Sequence, residues 1–81
     1  MTTIWKYHIK DAITMPNGSI ILSAQMQAGV STLWAQANPF NGLVERKFRV
    51  FGTGPGFEIP TDAKYVATFQ DGQLVWHLFE V

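Results

Sequence analysis

The sequence predicts an all-β fold, a small antiparallel barrel or sandwich of six to seven short strands in a single domain spanning residues 1–81. Turn signals recur about every ten residues, a spacing typical of sandwiches and barrels. Several of the segments between them alternate apolar and polar residues, and none carries a convincing 3.6-residue apolar period. The turns are Pro16-Asn17-Gly18, Ala28-Gly29, Asn38 to Gly42, Gly52-Thr53-Gly54-Pro55-Gly56 and Asp71-Gly72. Asp71-Gly72 sits between two apolar runs and predicts a hairpin through a type I′ turn, with Asn17-Gly18 the next best turn signal.

The strands follow in order. Thr3 to Lys10 places Trp5, Tyr7 and Ile9 on one face and Lys6, His8 and Lys10 on the other, because side chains alternate along a strand. Ile13 to Met15 is a short edge strand ahead of Pro16. Ser19 to Gln27 turns Ile20, Leu22, Ala24 and Met26 inward and Ser23, Gln25 and Gln27 outward, which specifies its register firmly. Val30 to Ala37 carries Leu33, Trp34 and Ala35. Leu43 to Phe51 sets Val44, Phe48 and Val50 against Glu45, Lys47 and Arg49, and Ala63 to Gln70 carries Tyr65, Ala67 and Phe69. The run Leu74 to Val81 is apolar on both faces, with Leu74, Trp76 and Leu78 on one and Val75, Phe79 and Val81 on the other. Such a strand has a central position or an external partner.

Composition narrows the function classes. A chain of 81 residues has room for one core only, and small cores often depend on a staple or an oligomer. With no cysteine, disulfides and thiolate metal sites are excluded, which fits a reducing compartment. Charged residues make up 15% of the chain, below the usual quarter, and the formal net charge is zero. Neutrality favours association and lacks the basic footprint of a general nucleic-acid binder. The N-terminus has no signal-peptide apolar run and no segment approaches the length of a membrane helix, so a cytoplasmic protein without a membrane partner is expected.

Two constellations carry chemistry. Arg46, Lys47 and Arg49 lead into the Gly52–Gly56 loop, where Gly52, Thr53 and Gly54 can bring backbone N–H groups close to an anion. Arg matches phosphate geometry with a planar fork, and Arg46 shares a face with Phe48 and Val50. The alternative is a solvated strand with an inward charge at the sheet rim. Trp5, Trp34 and Trp76, with Tyr7 and Tyr65, offer a platform on which a base stacks, or else the core of a small β domain. His8 and His77 have no third ligand in view, and the carboxylates are scattered, so neither metal, cofactor nor catalysis is expected.

The succession Trp5-Lys6-Tyr7, Met15 to Gln25, Leu33-Trp34-Ala35, Arg49 to Gly54, Tyr65 to Gln70 and Leu74 to Glu80 resembles a family of small, uncharacterised proteins encoded by bacteriophages and prophages. It covers almost the whole chain in order. Where that family tends to place His-Pro after Gly-Thr-Gly, this chain has Pro55-Gly56. The resemblance implies expression in a host bacterial cytoplasm and no established catalytic residue. It frames the expected function: a non-catalytic binding protein that sequesters a nucleotide-type host defence signal, with Arg46, Arg49, Gly52, Thr53 and Gly54 holding phosphates and Trp5, Trp34 or Trp76 stacking a base. The alternatives are an adaptor or inhibitor of a host protein and a structural or regulatory oligomer. A homo-oligomer is expected in each case, with its interface on the strand Leu74–Val81.

Overall fold

The computed structural model describes every residue except Pro55 and Phe57. The expected Gly52–Gly56 turn therefore lies partly outside the described residues. Among the described residues seven strands are present: β1 (Thr3–His8), β2 (Ala12–Pro16), β3 (Ile20–Gln27), β4 (Val30–Ala37), β5 (Leu43–Gly52), β6 (Lys64–Asp71) and β7 (Leu74–Glu80). They form two antiparallel sheets, one in the order β1-β4-β3 and one in the order β2-β5-β7-β6. The sheets do not close into a barrel. They stack as a sandwich, the second of the two expected architectures.

The core lies between the sheets. Leu33, Ala35 and Ala24 from the first sheet face Met15, Ile13, Phe48, Phe69 and Leu78 from the second. Met15, Leu33 and Leu78 are fully buried. β7 is an interior strand, paired with β5 on one edge and β6 on the other. β5 lies along the edge left by the β6–β7 hairpin, so β7 takes the central position within its sheet.

Two strands depart from simple alternation. A bulge between Ile21 and Ser23 shifts β3 against β4. Ile20 then shares a face with Gln36 and is 57% exposed, while Ile21 pairs with Ala35 and packs on the core. Of the expected inward set, Ala24 and Met26 do face the core, while Ile20 and Leu22 are exposed and Ile21 faces inward in their place. A second bulge between Tyr65 and Ala67 separates Tyr65, which points outward, from Ala67 and Phe69, which point inward. Both bulges sit on edge strands, where an extra residue bends the strand and interrupts a pairing edge. These two strands pack against each other and close one side of the sandwich.

The turns also rearrange the expected assignments. Asp71 pairs with Leu74, so the central residues of the last hairpin are Gly72 and Gln73. Only Gly72 has positive φ, at 60°, the pattern of a type II′ turn and not of the expected I′. The I′ pattern belongs to the β3–β4 hairpin, where Ala28 and Gly29 have φ of 50° and 78°. At Pro16–Ser19, the Ser19 N–H donates to Pro16 O at 3.2 Å and Gly18 takes φ of 79°.

Candidate binding cleft

Both sheets lose an edge strand at the same level. β1 ends at His8 and β2 begins at Ala12, because the chain between them crosses from one sheet to the other. The crossing is pinned at each end: Ile9 N–H donates to Ser31 O at 3.0 Å, and Phe48 N–H donates to Asp11 O at 2.9 Å. Beyond these bonds β4 and β5 have uncovered edges, and a cleft of about 580 Å³ opens between them. Its apolar wall includes Phe48, Phe69, Trp76, Met26 and Ile9, and Lys10, Arg49, Asp11 and Asp71 contribute to its lining. All four charged residues are exposed.

Trp76 is positioned by its neighbours. It pairs with Phe69 on β6 and Gly52 on β5, so its ring projects from an interior strand towards the opposite sheet. A Cβ at Gly52 would stand 3.2 Å from Trp76 Cζ3. Glycine here is therefore a matter of room for the indole. The same ring also borders a second hollow of about 380 Å³ together with Gly52, Thr53 and Leu74.

The other expected site residues are dispersed. Arg46 does face inward with Phe48 and Val50, and its guanidinium is engaged within the chain. Nε and Nη2 donate to Glu80 Oε2 and Oε1, each at 2.7 Å, and Nη1 donates to Ser19 O at 2.5 Å. This fork-to-carboxylate pair ties β5 to β7 and to the β2–β3 turn. The hydrogen bonds from Arg46 hold the Glu80 carboxyl below the usual carboxylate range, against the opposing effect of burial. The same hydrogen bond raises Arg46 further. The Arg46 fork thus serves as a clamp.

Arg49 pairs with Phe79 on the outer side of the second sheet, at the edge that borders the cleft. Trp34 pairs with Lys6 and Ser23 on the outer face of the first sheet. Trp5 pairs with Ala35 on the inner face of edge strand β1 and is 40% exposed. Neither these two tryptophans nor Gly54 is among the described residues that line the cleft.

Thr53 joins a hydrogen-bond chain on the outer face of the second sheet. Thr53 Oγ1 lies 2.7 Å from His77 Nε2, Thr68 Oγ1 lies 3.0 Å from His77 Nδ1, and Tyr65 Oη lies 2.7 Å from Thr68 Oγ1. One assignment gives each hydroxyl a single donor role. Tyr65 donates to Thr68, Thr68 donates to Nδ1, Nε2–H donates to Thr53, and Thr53 donates to Val75 O at 3.3 Å. His8 lies in the other sheet. No cluster of three or more His, Cys, Asp or Glu placed to hold a metal occurs among the described residues.

Sequence reasoning missed Lys10, Met26, Val50 and Phe69 as cleft residues. The only local signal is the polar Lys10-Asp11 pair between two strands, which marks the crossing that leaves the cleft open.

A family model covers the whole architecture, from the first strand to the last. The chain belongs to the DUF7352 family, a domain of unknown function matched over residues 1–81. No curated protein and no solved structure shows a significant match. The DUF7352 match agrees with the resemblance to an uncharacterised family and assigns no ligand to the cleft. Among the described residues, no helix of this DUF7352 domain is long and apolar enough to cross a membrane.

Proposed function

We propose that the domain is a non-catalytic binding protein whose inter-sheet cleft takes a nucleotide-type ligand. The supporting observation is the cleft itself, about 580 Å³, lined by Trp76 and Phe69 together with Lys10 and Arg49. Ligand pockets commonly span about 300–1,000 Å³ and combine apolar walls with a few convergent polar groups. In this reading Trp76 stacks the base, a contact worth about 1–3 kcal/mol. Lys10 and Arg49 hold the phosphate, while Asp11 and Asp71 accept hydrogen bonds from sugar hydroxyls. Arg46 contributes through the rigidity of the Glu80 clamp, and Gly52 through the space it leaves for Trp76. In a phage-encoded protein acting in a host cytoplasm, such binding would withdraw a nucleotide signal from host defence. Isothermal titration with cyclic, linear and ADP-ribose-type nucleotides tests it. Heat lost on Trp76→Leu and on Arg49→Ala is the expected result, and silence from every nucleotide refutes the reading.

A second reading, an adaptor that meets a host protein, is favoured by the outer face of the first sheet. Ile4 and Ile20 are 59% and 57% exposed there beside Trp34, with the bulged Leu22 adjoining. A stoichiometric partner retained on Arg49→Ala and lost on Trp34→Ala would favour this surface over the cleft. Self-association belongs to either reading, and light scattering at micromolar concentration tests it: a clean monomer ends it.

A further inference from the structure

The wall of the cleft formed by β5 contains unpaired main chain, and that edge has a defined chemistry. In an antiparallel ladder, alternate residues direct both N–H and C=O to the same neighbour. The direction on β5 is fixed from both sides. Thr53 N–H donates to Val75 O and Val81 N–H to Lys47 O, so the odd-numbered residues of β5 bond towards β7. Phe48 N–H donates to Asp11 O, so the even-numbered residues bond towards β2. The register of β2 ends at Ala12 opposite Lys47, and Val50 is the next even-numbered residue after Phe48. Among the described residues no strand reaches it on that side. Its N–H and C=O therefore face the gap bounded by Ile9, Lys10 and Asp11, which is the side of the cleft.

A donor and an acceptor held side by side on one rigid strand match a planar group carrying an acceptor beside a donor. The Watson–Crick edge of a nucleobase is such a group. We propose that the free main-chain edge of Val50 reads the hydrogen-bonding edge of a nucleobase, so that the cleft selects heterocycles with a donor adjacent to an acceptor. This rests on the nucleotide reading of the cleft and adds to it the element that confers selectivity. Stacking on Trp76 accepts any flat ring. The Val50 edge disfavours rings that stack equally well and leave its carbonyl or amide unpaired, because equal stacking cancels from the comparison and the unpaired group does not.

The test uses AMP and N6,N6-dimethyl-AMP, with GMP and N1-methyl-GMP as a second pair. Methylation keeps the ring and the phosphate and removes the donor that adjoins the acceptor, N6–H beside N1 in AMP and N1–H beside O6 in GMP. For whichever parent binds, the methylated partner is expected to bind roughly tenfold more weakly, the scale of one hydrogen bond. Val50→Pro removes the N–H on an edge where proline is tolerated. It is expected to weaken the parent by a similar factor and to shrink the discrimination between parent and methylated ligand. Val50→Ala, which retains the amide, should preserve that discrimination and so separates the lost donor from the lost side chain. The Val50 amide resonance should move on titration with the parent.

Equal affinity for parent and methylated ligands, with binding still lost on Trp76→Leu, overturns the edge reading and leaves the nucleotide reading standing. So does a titration in which Trp76 responds and the Val50 amide does not. If no mononucleotide of either pair binds, the edge reading falls, and the nucleotide reading is decided separately by the cyclic and ADP-ribose-type nucleotides.

Discussion

Ala28 offers the sharpest test of the backbone described here. It is exposed, it sits at the first central position of the β3–β4 hairpin, and its φ is 50°. The left-handed region costs an L-residue with a Cβ roughly 1–2 kcal/mol. Asparagine tolerates that region because its short polar side chain bonds locally, and Asn-Gly is the preferred I′ pair. Gly29 already occupies the second position, so Ala28→Asn completes the pair and should recover about 0.5–1 kcal/mol. Ala28→Gly removes the strain entirely and gives back roughly 0.5–1 kcal/mol through the greater entropy of its unfolded chain, leaving a smaller net gain. For a domain of this size 1 kcal/mol corresponds to about 4–8 °C. Thermal unfolding followed by circular dichroism should therefore show Ala28→Asn raising the midpoint by roughly 2–8 °C. Ala28→Val should lower it, because a β-branched residue resists this conformation most. The side chain makes no core contact, so packing does not confound the series. If asparagine and glycine both fail to raise the midpoint and valine is neutral, Ala28 is not left-handed and the I′ assignment is wrong.

Three further outcomes follow from the clamp, the glycine and the bulge. Glu80→Gln leaves the Arg46 fork without its carboxylate and should cost about 1–3 kcal/mol in urea unfolding. Because the Glu80 carboxyl is depressed in the folded state, its contribution is fully present above the ordinary carboxylate pKa of about 4.3 and disappears as pH falls through the lower folded value. The difference in midpoint between wild type and Glu80→Gln should accordingly shrink on acidification below about pH 4. Gly52→Ala places a Cβ 3.2 Å from Trp76 Cζ3, so the indole must shift; Trp76 fluorescence should change while far-UV dichroism stays constant. Ile21→Thr should cost about 1–2 kcal/mol and Ile20→Thr less than about 0.5 kcal/mol, since only the former is on the core face.

Strand existence and approximate limits were legible because most of the strands lie between recognisable turns and several alternate locally. Parity within two strands was not. Nothing in Ile20-Ile21-Leu22 says which apolar residue the edge strand will extrude, and counting by twos through a bulge reverses every assignment beyond it. The same holds at Tyr65, Val66 and Ala67. Arg46 could be placed on the inner face from its neighbours alone. Its partner could not, since Glu80 lies 34 residues away on a strand that reaches β5 only through the non-sequential order of the second sheet. The cleft was illegible for a related reason. It is made by what two edge strands fail to cover, and the Lys10-Asp11 pair marks the crossing without showing which edges it leaves open.

The doubly apolar run at β7 now has a specific physical account. Its outer residues Phe79 and His77 are met within the chain. Phe79 makes edge-to-face contacts with Phe51 and Tyr65, at centroid separations of 5.6 and 5.7 Å, and His77 sits between two threonine hydroxyls. Its inner face does three things in succession: Trp76 walls the cleft, Leu78 fills the core, and Glu80 receives the Arg46 fork. Hydrogen bonding on both edges prevents this strand from sliding without breaking two ladders. Trp76 is therefore carried by one of the least adaptable elements of the fold, and a ring that bears on the cleft needs little ordering when a ligand arrives. Truncating it to leucine should consequently remove affinity in the dissociation rate, with the domain still folded, and a variant that instead unfolds would assign the indole to the core.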